Sequence, residues 1–154
     1  INAALIINLI PVIGIIYAPA KERLFYSHGK NLAFEIVNGE KKILNCKKIN
    51  NNQIIALANS DKTPNEVLDI YRKNNVTKII KMSSSLKFCI LACGEADIYA
   101  AKARAYEWDI AAGHAILEHA GGFIKTHEGK PFHYGKTDYK NLSILAKRSL
   151  GLEK

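Results

Sequence analysis

The 154-residue chain has no Gly-rich phosphate loop, no His-Glu-x-x-His pattern, no zinc-type cysteine spacing and no serine elbow of the hydrolase kind. P-loop, zinc-peptidase and serine-hydrolase chemistry are therefore left without a motif to carry them. Cysteine is scarce and odd in number: Cys46, Cys89 and Cys93. The last two stand one helical turn apart and read as small buried hydrophobes in a reducing compartment, so a cytoplasmic protein is expected. Charge is missing altogether from residues 1–20. That run is long enough for a membrane span, but eight of its residues are Ile or Val, Pro11 lies in the middle, and Asn8-Leu9-Ile10-Pro11 has the character of a turn. Two buried strands are expected instead, with no transmembrane segment. There is no basic leader and no initiating methionine, so no signal peptide is expected and the sequence reads as one that starts in mid-protein. Internal repeats and low-complexity tracts are also missing.

What is present is the ordinary composition of a folded domain, with 23% charged and 48% hydrophobic residues, enough for one moderate domain or two small lobes. The formal charge of +8 suits nucleic acid, an anionic membrane surface or a small phosphorylated molecule. The lysines are scattered and no nucleic-acid-binding motif accompanies them, which favours a solvated surface or a small phosphate ligand over nucleic acid. Along the chain, a turn at 18–21, strands near 24–27 and 32–37, and the strong turn signal Asn38-Gly39 predict an antiparallel meander forming one sheet that ends near Asn45. The polar run 47–52 marks a lobe boundary, dividing 1–46 from 47–154. Strand and helix then alternate. A strand at 53–58 precedes Thr63-Pro64-Asn65-Glu66, a capping-box pattern with proline at the first helical position, whose helix turns Val67, Ile70 and Tyr71 inward. A strand at 76–82, a helix at 86–93 with Leu86, Cys89, Ile90 and Cys93 on one stripe, and strands at 96–100, 123–126 and 142–146 complete an α/β fold: a meander followed by a layered α/β lobe.

The stretch that organises the rest is 107–122. It reads as one short helix with Ile110, Gly113, Ile116, Leu117 and Ala120 on a buried face and Glu118 and His119 turned away. Asp109 stands where an N-cap belongs, and Gly121 can take the left-handed conformation that ends a helix. Ala111, Ala112 and Gly113 leave room for another backbone or for a ligand at the first turn. A capped core helix and a ligand-facing turn both satisfy this pattern. His114 and Glu118 lie one turn apart, as a helix-edge pair or as metal ligands, and Tyr99, Tyr106, Tyr134 and Tyr139 suit either packing or stacking on a base.

Trp108-Asp109-Ile110-Ala111-Ala112-Gly113, followed by Ala120-Gly121-Gly122, resembles the C-terminal signature of the inositol monophosphatase superfamily, the magnesium-dependent, lithium-sensitive phosphomonoesterases. Ser84-Ser85-Leu86-Lys87-Phe88-Cys89 and Gly94-Glu95-Ala96-Asp97-Ile98-Tyr99 resemble one branch of it, the bacterial 3'(2'),5'-bisphosphate nucleotidases. The resemblance runs over essentially the whole chain and implies a sugar-phosphatase-like layered fold, Mg2+ as cofactor, and removal of the 3'-phosphate of adenosine 3',5'-bisphosphate. It assigns Asp109 as a metal ligand that supports the attacking water, and Ser84 and Lys87 as contacts to substrate phosphate. The branch's arginine two residues after the strand tyrosine is here Ala101, with Lys102 and Arg104 as candidate substitutes in substrate binding. Its Ser-Arg-Ser-His loop is here Ala58-Asn59-Ser60-Asp61. The Asp-Pro-x-Asp-Gly-Thr motif that supplies most metal ligands is absent from the chain, so the resemblance implies half an active site, inactive alone and needing the other half; it also admits a homodimer. The alternatives are a hydrolase of another small phosphate ester, of the inositol monophosphatase type, and a non-catalytic remnant or binding subunit.

Overall fold

The computed structural model describes residues 1–46 and 53–148. The polar run at 47–52, where the sequence places a lobe boundary, lies outside the described residues. The first sheet is an antiparallel meander, β1 (Asn2–Ile7), β2 (Ile10–Ala18), β3 (Arg23–Ser27), β4 (Ala33–Val37) and β5 (Glu40–Ile43), paired in that order. Two of its hairpin turns hold both central residues at positive φ. Asn38 and Gly39 stand at φ 51° and 78° between β4 and β5, the mirror-type turn whose twist matches the strands. Between β1 and β2 the turn is Asn8-Leu9, at φ 50° and 65°, and Pro11 falls inside β2 where the register shifts between Leu5 and Ile6. A strand tolerates proline at such an irregularity because one ladder N–H is already unpaired there.

The expectation of two buried strands needs correction. In β2 Gly14 and Ile16 are buried, whereas Ile13, Ile15 and Tyr17 are exposed, and β1 is exposed along most of its length. Only the inner face of this sheet is covered, so its apolar outer face makes the sequence look more buried than the strands are.

The second sheet is mixed: β6 (Ile54–Ala58), β7 (Val76–Lys81), β8 (Ile98–Ala101), β9 (Phe123–Lys125) and β10 (Ile144–Lys147), ordered β7-β6-β8-β10-β9. β6 runs parallel to β7 and β8, and β10 antiparallel to β8 and β9. Three helices complete the fold: α1 (Asn65–Lys73), α2 (Leu86–Ala92) and α3 (Ala111–His119). α2 and α3 lie between the sheets, in one core with Ile16 and Phe25 from the first sheet and Leu57, Tyr99 and Ala146 from the second. α1 covers the other side of the second sheet, where Val67 and Tyr71 meet Ala56, Ile98 and Ala100. The layers are therefore sheet, helices, sheet, helix.

The sequence of α3 dictates how closely it sits. A methyl group added at Gly14 of β2 would come within 2.2 Å of the Ala112 carbonyl oxygen, and one added at Gly113 within 2.6 Å of the Phe88 ring. The small residues of the first turn thus admit a strand backbone on one side and an aromatic ring on the other. Gly121 ends the helix at φ 101°. Its N–H donates to Glu118 O and that of Gly122 to Leu117 O, both at 2.9 Å, a Schellman closure. The capping box ahead of α1 does not form: Pro64 occupies the cap position without a side-chain hydrogen bond, the Thr63 hydroxyl donates to Ser60 O, and the Glu66 carboxylate meets Lys102 and His127 instead. Arg23 joins the layers, its guanidinium 2.5 Å from Glu35 and 2.6 Å from Glu95. Cys89 and Cys93 lie beside that cluster, and burial pushes both thiols above their ordinary range, which keeps them protonated and unreactive. No helix among the described residues is long and apolar enough to cross a membrane.

Candidate functional site

A cavity of about 340 Å³ opens between the C-terminal end of β8, the start of α2 and the turn that precedes α3, and Ser84, Lys87, Arg104 and Asp109 all line it. Each arrives by a different local device. Ser84 sits in the connection from β7 to α2 at φ 72°, a left-handed conformation uncommon for a residue with a side chain. Its hydroxyl accepts the Leu86 N–H at 3.3 Å, and its carbonyl, turned inward, accepts the Lys87 ammonium at 2.7 Å.

Lys87 lies in the first turn of α2 and is 3% exposed. The ammonium also donates to Met82 O at 3.3 Å and stands 4.9 Å from the centroid of the Tyr99 ring. None of the described carboxylates forms an ion pair with it. Burial first, and the nearby Arg104 charge second, bring its pKa down to about 8. A cation held by carbonyl dipoles and a ring face, beside a second cation, is an unfinished site that an anion completes. The Tyr99 hydroxyl accepts from Asn59 at 2.9 Å, and Asn59 lines the same cavity.

Asp109 closes a short 3₁₀ turn, Glu107–Asp109. The expected N-cap role in α3 is corrected here. The cap position of α3 is Ile110, with no side-chain bond, while the Asp109 carboxylate accepts the Tyr106 N–H at 2.9 Å. It caps the 3₁₀ turn because Ile110 separates that turn from α3 and takes the cap position itself. Asp109 itself is exposed. The turn is anchored from below by Glu107, a buried carboxylate that accepts the N–H groups of Gly135 and Lys136 at 2.9 and 3.0 Å and the Lys136 ammonium at 2.8 Å. Burial opposes its charge, yet Lys136 and these backbone donors hold it below the usual glutamate range. Lys136 in turn reaches Asn141 and His133 O, so hydrogen bonds tie the segment 133–141 to the Asp109 turn.

Lys102 is placed apart. It lines a smaller neighbouring pocket of about 120 Å³ and pairs with Glu66 at 3.0 Å. Arg104 borders both spaces. Asp61 is turned to Lys81 at 2.7 Å and is absent from the lining of both. His114 is buried with its Nδ1 2.9 Å from the Tyr134 hydroxyl and its Nε2 3.1 Å from Glu118, a helix-edge pair. Among the tyrosines, Tyr106 stacks on Trp108 at 4.7 Å between centroids, and the Tyr139 ring, tilted, lies 6.1 Å from it.

Two residues that build the site carry no signal in the motifs, Asn2 and Lys136, and the motifs assign no role to Asn59 or Glu107. Asn2 enters the cavity from β1 and accepts the Ser85 hydroxyl at 2.8 Å, tying the first strand to the first turn of α2. Only the pairing of distant segments reveals such contacts, because no local spacing relates residue 2 to residue 85.

Chemically, two cations, a serine hydroxyl and one carboxylate face a polar cavity, an arrangement that takes an anionic group and sets a carboxylate beside it. Asp109 is the one carboxylate on its lining, and no group of three or more His, Cys, Asp or Glu converges among the described residues. A magnesium ion needs about six oxygen ligands in near-octahedral array, several supplied by water. Asp109 fits as one of them, and the described residues do not complete a protein ligand set.

A sequence model of the inositol monophosphatase family matches residues 1–151. The chain is 39% identical over 135 residues to a 3'(2'),5'-bisphosphate nucleotidase CysQ of Buchnera aphidicola, covering 87% of this chain and 50% of that one. It is 32% identical to the Escherichia coli K12 protein of the same name, covering 87% of this chain and 53% of that one. Among solved structures, CysQ from Bacteroides thetaiotaomicron, described as a bacterial member of the inositol monophosphatase family, superposes with a TM-score of 0.82 at 30% identity, covering 95% of this chain and 61% of that one. The chain thus spans about half the length of the curated relatives it matches.

Proposed function

Since the chain belongs to the inositol monophosphatase family, we propose that its cavity is the substrate-binding half of a phosphomonoesterase site, acting with Mg2+ to remove the 3'-phosphate of adenosine 3',5'-bisphosphate. The observation that carries this reading is the convergence of Ser84, Lys87, Arg104 and Asp109, drawn from four separate segments, on one cavity. Lys87 and Arg104 neutralise a phosphate dianion, and the Ser84 hydroxyl donates to one of its oxygens. Arg104, rather than Lys102, stands in for the arginine replaced by Ala101, because it borders the cavity while Lys102 is engaged by Glu66. Asp109 would be one ligand of the ion and would orient the attacking water. The ion, when bound, lowers the pKa of water and neutralises the leaving oxygen; its remaining ligands come from the half of the relatives that this chain does not span.

The proposed division into 1–46 and 47–154 assigns the sheet β1–β5 to the first part and Ser84, Lys87, Arg104 and Asp109 to the second. The chain by itself is expected to release no phosphate. The test is magnesium-dependent phosphate release by the chain completed with the residues its relatives carry outside the match, comparing adenosine 3',5'-bisphosphate with inositol 1-phosphate. Preference for the nucleotide supports the reading. Preference for inositol 1-phosphate moves the protein to the other branch, and no release from either, in a folded protein, makes it a non-catalytic remnant.

A further inference from the structure

Lys87 is the one lysine on the lining of the 340 Å³ cavity and is 3% exposed, so a reagent reaches its nitrogen through that space. An ammonium has three N–H donors. Two described acceptors take two of them, Ser84 O at 2.7 Å and Met82 O at 3.3 Å, while the nitrogen stands 4.9 Å from the Tyr99 ring centroid. A neutral amine keeps both carbonyl bonds and carries its lone pair where the third N–H was. Deprotonation therefore leaves the nitrogen in place as a positioned nucleophile. The other charged or titratable groups on the lining are Arg104, Asp109 and Tyr99, and none of the described carboxylates forms an ion pair with the ammonium. With its pKa lowered to about 8 by burial and by Arg104, about one molecule in ten carries the free amine at pH 7, against about one in three thousand for an ordinary lysine.

Hydrolysis of a phosphate ester uses Lys87 as a cation and leaves this nucleophile idle. The same cavity also holds the Arg104 guanidinium and the Ser84 hydroxyl, which suit a phosphate group. A compound whose phosphate is bonded to an acyl carbon offers an electrophile to the amine and a leaving group to those two side chains at once.

We propose that Lys87 is a self-acylation site for small acyl phosphates, with Arg104 and Ser84 binding the phosphate that leaves. The amine lone pair adds to the acyl carbon and the N–C bond forms. The C–O bond to phosphate then breaks, and phosphate departs with the bonding pair and one amine proton as hydrogen phosphate. The step needs no metal and no reactant besides the donor. Its product is a neutral amide, so the modification removes one of the two cations of the cavity and switches the anion site off. This rests on the reading of the cavity as a phosphate site, but not on hydrolysis.

The test is incubation of the chain with acetyl phosphate, with acetylation rates at each lysine read by peptide mass spectrometry. Lys87 is expected to react about tenfold faster or more than the exposed Lys21 and Lys130, its rate rising as pH passes through about 8 and levelling above it. Inorganic phosphate is expected to abolish that lead without slowing Lys21 or Lys130, and Arg104→Ala to slow Lys87 roughly three- to tenfold. Arg104 is itself exposed, so its variant keeps the fold, which circular dichroism checks. Phenyl acetate carries the same acyl group without the phosphate and is expected to reverse the order, with the exposed lysines ahead. A Lys87 rate no higher than that of the exposed lysines, a lead that inorganic phosphate leaves intact, or the same lead with phenyl acetate would each overturn the proposal. Selective acylation of a chain whose completed form releases no phosphate from adenosine 3',5'-bisphosphate would leave it standing and remove the enzymatic reading; release without selective acylation would do the reverse.

Discussion

Lys87 is the residue on which binding and stability pull in opposite directions. Its folded pKa, about 8, lies below the ordinary lysine value of 10.5, so between these values the native state holds fewer protons than the unfolded chain and stability rises with pH. Below pH 8 the buried charge costs stability that an anion would return. Lys87→Met is therefore expected to raise the urea midpoint at pH 7 while weakening phosphate binding at least tenfold, read by denaturation and by calorimetry with inorganic phosphate. Phosphate affinity of the unmodified chain should fall as pH rises through about 8. Arg104→Ala should also weaken phosphate binding, roughly three- to tenfold for an exposed charge-assisted contact of about 1 kcal/mol. Lys102→Ala should leave it within about twofold, since its ammonium already pairs with Glu66. At this scale the sequence was informative about identity and silent about direction. Two cations follow Ala101 at positions 102 and 104, and only the course of the chain past β8 decides which one enters the cavity.

At the scale of elements, the packing of α3 on β2 sets the tolerances. Gly14→Ala forces a methyl into the Ala112 carbonyl, a backbone atom that cannot swing aside. A loss of about 1–3 kcal/mol is expected from such overpacking, measured by chemical denaturation. Glu107 gives the turn before α3 its own pH signature. A carboxyl held below its unfolded value contributes stability that is complete above about pH 4.3 and disappears as pH falls through the lower folded value. Glu107→Gln should thus cost about 2 kcal/mol at pH 7, and the gap should close as pH falls below about 4, with faster amide exchange at Gly135 and Lys136.

Elements with strong local signals, the Asn38-Gly39 hairpin and the Gly121 helix end, were legible from sequence, as was the alternation in the second half. Caps were not. Thr63 and Asp109 both stand in cap patterns, yet Thr63 turns back to Ser60 and Asp109 serves the 3₁₀ turn. A cap pattern states which residues can satisfy free N–H groups, and tertiary partners such as Lys102 and His127 decide whether they do.

For the whole molecule, the layers matter more than any one contact. The apolar pattern of residues 1–20 correctly excluded a membrane helix but overstated burial, because an exposed apolar sheet face and a covered one have the same sequence. The shared core of α2, α3 and both sheets joins Asn2 on β1 to Ser85 on α2 and Arg23 to Glu35 and Glu95. Loosening any one layer should therefore unfold all of them together, giving coincident transitions by circular dichroism and by near-ultraviolet absorbance.

Trp108 is the chain's single tryptophan. It is 59% exposed and adjacent to Asp109, and it lines a groove with Asn2, Ala3 and Ala4 of β1. The protein consequently carries its own optical probe. Its emission comes from one indole, so a blue shift or a change in quenching by iodide reports events at the Asp109 turn without a label, and a titration with magnesium, phosphate or a second polypeptide can be followed in the native chain.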